Sequence, residues 1–162
     1  MKTEFWYPPG FPRAEERFLQ RCALALASLA GFIIFLCQFS TILRDLQTAL
    51  RTGAEGLTMP PLPALTAGCW IGFLVLALGQ VVLAAAHYLW HYQGGRSIYR
   101  MRTLPQRFEL ARRCLAAPAA ALGWCVLAAV AVAVLCALYY RVFTPAGLLP
   151  AHWLLGGALC WN

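Results

Sequence analysis

The sequence predicts an all-α integral membrane protein with three transmembrane helices. Three observations predict it. All twelve arginines, the single lysine and all six acidic residues lie outside three long uncharged runs, Cys22 to Leu43, Gly56 to Gln93 and Cys114 to Tyr140. A charged side chain at the centre of a membrane helix costs about 2.5–3.5 kcal/mol even on lenient insertion scales, so such runs mark what a bilayer accepts. Each run also supplies the roughly 20 apolar residues that a helix rising about 1.5 Å per residue needs to cross about 30 Å of hydrocarbon. Finally, the basic residues divide ten to three: Lys2, Arg13, Arg17, Arg21, Arg96, Arg100, Arg102, Arg107, Arg112 and Arg113 on one side, Arg44, Arg51 and Arg141 on the other. The positive-inside rule then places the N-terminus in the cytoplasm and the C-terminus outside.

Taken in order, residues 1–162 read as one membrane domain. Residues 1–20 form a cytoplasmic, interfacial head. Its Phe5-Trp6-Tyr7-Pro8-Pro9-Gly10-Phe11-Pro12 stretch suits the headgroup region, where aromatic rings with a polar edge are favoured. Pro12 fits a first helical turn, with Glu15 and Glu16 near its positive end, so a helix is expected to begin before the bilayer. The first span is expected at 21–43. A cleaved signal peptide is not expected here, since the uncharged run is 22 residues long and its one Ala-x-Ala, Ala25 to Ala27, lies at the start of the run. The outer loop, 44–64, should continue the helix along a Leu43, Leu46, Leu50 stripe until Gly53, and then pass through an extended turn at Met59-Pro60-Pro61-Leu62-Pro63.

The second span is expected at 65–90 and the third at 118–140, with 141–162 an outer interfacial tail. Pro145, Pro150 and Gly156-Gly157 break that tail, leaving too little helix for a fourth span of normal length. Gly68 and Gly72 form a GxxxG contact face, and Ala23, Ala27 and Gly31 a small-residue stripe, both of which permit close helix approach. Gln38 and Gln80, the strongly polar groups of the spans, are expected at different depths and are assigned to interhelical packing. Of the seven cysteines, Cys114, Cys125 and Cys136 recur every eleven residues, which is three turns and one helix face. They read as small hydrophobes of a packing surface.

Between the second and third spans, the loop 91–117 holds six of the thirteen basic residues. Thr103 and Gln106 have the spacing of a capping box, with Pro105 tolerated in the first turn, so a helix is expected from about Leu104. Glu109 reaches Arg112 and Arg113, while Phe108, Ala111 and Leu115 share an apolar stripe, which makes a basic amphipathic helix that runs toward Pro118. Arg96, Tyr99, Arg100, Arg102, Arg107, Arg112 and Arg113 are the candidate contact residues. They suit either the anionic inner leaflet or a protein partner, since Ile98, Tyr99 and Met101 are mixed among the arginines. No nucleic acid is expected as a partner.

This loop also bears a resemblance. Tyr92-Gln93-Gly94-Gly95-Arg96-Ser97-Ile98-Tyr99, Arg102-Thr103-Leu104-Pro105 and Arg112-Arg113-Cys114-Leu115 resemble a group of small, uncharacterised bacterial membrane proteins encoded beside ABC transporter genes. The head before Glu15-Glu16-Arg17-Phe18 and the tail from Thr144-Pro145 to Trp153 are similar too, although Ala111 stands where a larger polar residue is expected. The resemblance implies a multi-pass protein of the bacterial cytoplasmic membrane. It also implies an accessory or permease-like subunit working with other membrane subunits and an ATPase made elsewhere.

On this reading the chain is a noncatalytic subunit of a transport assembly, without a cofactor. Independent ion-coupled transport is disfavoured, because no Asp, Glu, Lys or Arg lies inside a span. The alternative is a self-contained membrane enzyme or metal protein centred on His87 and His91, one turn apart and therefore able to clasp a metal. No third ligand is apparent for it, and Ser28, Ser40 and Ser97 lack the elbow or local base that activates a nucleophile.

Overall fold

The computed structural model describes residues 13–53, 56–93, 109–150 and 154; the backbone alone is described at 13, 90–93 and 109–113. Among the described residues four α-helices follow one another: α1 (Arg13–Arg51), α2 (Leu62–Thr66), α3 (Ile71–Gln93) and α4 (Glu109–Phe143). Short 3-10 turns occupy Ala67–Trp70 and Ala146–Leu148, and there is no strand among the described residues. Among the described residues three stretches, Ala14–Arg51, Leu62–Leu89 and Cys114–Phe143, are long and apolar enough to cross a membrane.

α1 starts with Glu15 and Glu16 in its first turn and runs without a break past the uncharged stretch. Its 39 residues span roughly 58 Å, about twice the hydrocarbon thickness, so both ends extend beyond any single crossing. Ser40 and Thr41 both donate to the Cys37 carbonyl, at 3.0 and 2.9 Å, which satisfies these hydroxyls inside the helix. The helix stops where Gly53 takes a φ of 85°, a left-handed conformation that costs glycine no Cβ clash.

The second span begins differently from the uniform helix expected. The extended connector ends at Pro61, because Pro63 falls in the first turn of α2, where its missing N–H has no helical acceptor to serve. The chain then tightens into the Ala67–Trp70 turn before α3 begins at Ile71. α4 passes through Pro118 as one helix and extends from Glu109 to Phe143, longer at both ends than the third span expected. The proposed start of the amphipathic helix at Leu104, and its capping box, lie outside the described residues.

The contacts divide the chain into two compact units, Met1–Ala25 with Phe73–Leu127, and Leu26–Gly72 with Ala128–Asn162. In the second unit the small residues set the spacing. A Cβ built on Gly31 would lie 3.0 Å from the Cys69 carbonyl oxygen, and one on Gly72 3.3 Å from Ala27 Cβ. Glycine at these positions lets the backbones approach more closely than any other residue allows. A Cβ on Gly68 would meet Gln38 Nε2 at 3.5 Å, so Gln38 and Gly68 are neighbours.

Beyond this contact the second unit is aromatic. Tyr139 meets Phe35 and Phe39 edge-on, with ring centroids 5.9 and 5.3 Å apart, and stacks on Phe143 at 4.3 Å. These are the offset and T-shaped geometries that the ring quadrupole favours. Tyr140 is fully buried, and its hydroxyl donates to the Pro60 carbonyl at 2.8 Å. Met59 N–H donates to the Leu148 carbonyl, also at 2.8 Å, which ties the proline-rich connector to the segment after α4. Pro60 and Pro61 cannot propagate a helix, so these bonds give their stretch the partners that helix would otherwise provide.

In the first unit Cys114 and Cys125 are buried, as is Cys136 in the second, and Cys125 Sγ donates to the Phe73 carbonyl at 3.7 Å. All six described cysteines are free thiols.

Candidate functional site

The first unit buries a carboxylate and an imidazole against each other. Glu16, in the first turn of α1, and His87, near the far end of α3, are 8% and 0% exposed, and Glu16 Oε2 lies 3.1 Å from His87 Nε2. The other ring nitrogen, Nδ1, lies 3.4 Å from the Cys114 carbonyl of α4. Gln20 Nε2 donates to the second Glu16 oxygen at 2.9 Å. Four groups on three helices thus form one continuous polar chain.

Pro118 explains why the Cys114 carbonyl takes part. In a regular helix the carbonyl of residue i accepts from the N–H of residue i+4, and for Cys114 that residue is Pro118, which has no N–H. A buried carbonyl left so costs about 1–3 kcal/mol, and His87 supplies the missing donor. At 3.4 Å this is the long, weak member of the chain; the 3.1 Å contact with Glu16 is within ordinary range.

The two contacts also constrain the protons. His87 faces a carbonyl on one side and a carboxyl group on the other, and a neutral imidazole has a single N–H. Both bonds form when the ring carries two protons beside a Glu16 carboxylate. They form equally when Nδ1 carries one proton and a protonated Glu16 donates to Nε2. In either case the pair is electrically neutral as a whole, which is how a carboxylate is accommodated away from water.

Beside this chain opens a cavity of about 460 Å³. α1 contributes Arg17, Gln20, Arg21 and Leu24, one face at helical spacing. α3 contributes Leu76 and Gln80, and α4 presents small residues, Ala117, Ala120 and Ala121, ahead of Trp124 and Cys125. Among the described residues the lining therefore holds two guanidinium groups and no carboxylate. Gln80 Oε1 is buried there without a hydrogen-bond partner.

The residues singled out from sequence are dispersed. Gln80 lines the cavity, with its oxygen unpartnered rather than joined to a neighbouring helix. Gly68, Gly72 and Gln38 belong to the close contact of the second unit. Arg96, Tyr99, Arg100, Arg102 and Arg107 lie outside the described residues, and Arg112, Arg113 and His91 are described by backbone only. His87, considered as a metal ligand with no carboxylate nearby, has one at 3.1 Å, and both of its nitrogens face hydrogen-bond acceptors. Among the described residues no group of three or more His, Cys, Asp or Glu side chains is placed to hold a metal ion.

Glu16 and its link to His87 were not anticipated from sequence. The legible signal is positional: adjacent acids, Glu15 and Glu16, just before the first span, the histidines His87 and His91 at the corresponding end of the second, and a proline four residues after Cys114 in the third. Comparison with models of protein families, with curated proteins and with solved structures finds no match for the chain.

Proposed function

We propose that the chain is a noncatalytic, multi-pass membrane subunit of a transport assembly of ABC type. Its N-terminus and its 91–117 loop face the cytoplasm of a bacterium, and its C-terminus faces outward. One observation carries the subunit role. Only 17%, 11% and 17% of the most apolar 18-residue stretch in the three spans is buried, so these helices leave most of their apolar surface to lipid or to other membrane helices. Leu74, Leu78 and Val82 on α3, and Val126, Val130 and Val134 on α4, are each more than half exposed. A chain that covers so little of its own span surface supplies lateral contacts more readily than an enclosed path of its own.

The orientation rests on the ten-to-three division of basic residues. The ABC-type company rests on the resemblance of the arginine-rich loop, whose Arg96, Tyr99, Arg100, Arg102, Arg107, Arg112 and Arg113 form the proposed docking surface for an ATPase or the inner leaflet. Purification of the tagged protein from native membranes in mild detergent tests the proposal. An ATPase or a second membrane subunit should accompany it, and recovery should fall when Arg100, Arg102 and Arg107 are changed to Glu. Recovery of the chain alone refutes the subunit role, and unchanged recovery of the triple variant removes the loop as the docking surface.

A further inference from the structure

The cavity of the first unit is polar at one end and apolar at the other, and depth along the helices shows the gradient. Measured from the level at which Glu16, His87 and Cys114 meet, and at about 1.5 Å per residue, Arg17, Gln20, Arg21 and Gln80 lie within about 11 Å. Leu24, Trp124 and Leu76 follow at about 12–17 Å. Arg21 and Gln80 are within about 3 Å of each other in depth on this scale. The polar end coincides with the edge of the uncharged run, since Cys22 is its first residue.

Charge decides what such a cavity accepts. Glu16, beside Arg17 on α1, is engaged by His87 and Gln20. Arg21 is exposed and has no carboxylate partner among the described residues. A volume of about 460 Å³ falls within the roughly 300–1,000 Å³ of small-ligand sites.

We propose that this cavity binds an anionic phospholipid. Arg17 and Arg21 hold the phosphate, the Gln80 amide lies deeper, at the level of the glycerol backbone, and the acyl chains lie along Leu24, Leu76 and Trp124. Guanidinium groups suit phosphate because their forked donors match its oxygens in pairs. The alanines of α4 keep the cavity open where larger side chains would close it. A soluble phosphate would satisfy the arginines and leave the apolar end without a function, which favours the lipid. The inference is independent of the transport assembly.

Trp124 lies in the lining and provides the test. The full chain, with its other tryptophans (Trp6, Trp70, Trp90, Trp153 and Trp161) changed to Phe, is placed in nanodiscs of phosphatidylcholine containing a minority of phosphatidylglycerol brominated on its acyl chains. Quenching of Trp124 should exceed that from the same fraction of brominated phosphatidylcholine. It should correspond to a relative affinity of about thirtyfold for two arginine contacts (about 2 kcal/mol at 1.4 kcal/mol per tenfold). R17Q/R21Q should abolish the preference, R21Q should lower it about fivefold, and Arg21→Lys should restore most of it. Because Arg21 is exposed, R21Q is expected to fold and to decide the matter even if the double variant does not. Equal quenching by the two lipids overturns the proposal, as does a preference unchanged in R21Q. Competition by soluble glycerol phosphate as effective as that by the lipid would reassign the cavity to a free phosphate ester. Photocrosslinking from benzoylphenylalanine at Ala120 that captures a polypeptide instead of lipid would reassign it to a partner helix.

Discussion

Removing the His87 imbidazole should destabilise the first unit by about 3 kcal/mol. The His87→Ala variant leaves Glu16, 8% exposed, with Gln20 as its remaining partner in the polar chain, and takes the donor from the Cys114 carbonyl. Breaking a buried pair from one side costs about 3–5 kcal/mol in soluble proteins, whereas single interhelical hydrogen bonds in membranes average about 0.6 and reach about 1.7 kcal/mol. Two such bonds are lost here, with a poorly paired acid left behind. About 3 kcal/mol is the balance of these terms. The Glu16→Ala variant should cost less, because His87 can keep an Nδ1 proton on the Cys114 carbonyl without it. In the double variant the two costs should fall short of their sum by about 1–2 kcal/mol, the signature of a direct contact. The measurement is reversible unfolding in mixed micelles at increasing dodecyl sulfate fraction, followed by near-ultraviolet circular dichroism. A loss below about 0.5 kcal/mol for His87→Ala, or strictly additive single costs, would refute the buried pair.

Further outcomes follow from the same geometry. Pro118→Ala restores an N–H four residues after Cys114, so it should recover about 1 kcal/mol of the His87→Ala loss in the same unfolding assay; no recovery would mean the carbonyl is not what His87 serves. Gly31→Ala forces a Cβ to 3.0 Å from a backbone oxygen and should cost about 1–3 kcal/mol. Gly79→Ala, with nothing within 4 Å, should be neutral or stabilising by up to about 1 kcal/mol, and equal effects would exclude the close contact. Tyr140→Phe deletes the 2.8 Å bond to the Pro60 carbonyl and should cost about 1–2 kcal/mol, with faster amide hydrogen exchange at Met59 as a local readout.

How much of this was legible depends on whether the controlling interaction is local. Three uncharged runs determine three apolar helices, since a bilayer tests length and hydrophobicity residue by residue. Gly53 as a stop, with its φ of 85°, and the proline-rich connector are likewise local, because each rests on the backbone preferences of one or two residues. The continuation of α1 past Leu43 is read in the same way, from a stripe of leucines. Cys114, Cys125 and Cys136 share a face by spacing alone, and all three are buried.

What the tertiary structure decided is which distant residues meet. Glu16 and His87 are 71 residues apart, and Tyr140 and Pro60 are 80 apart. No periodicity encodes such pairs, because they depend on how three helices are rotated and staggered. Glu16 looked like a first-turn acid complementing a helix end, and His87 like a headgroup-level aromatic, because each of those local accounts is sufficient alone. Only the packing of α1, α3 and α4 within the first unit turns them into a neutral buried pair and directs Arg17, Arg21 and Gln80 into one cavity. The sequence thus determined where charge is absent; the tertiary structure determined which of the remaining charges meet, because desolvation and pairing depend on neighbours brought together from far along the chain.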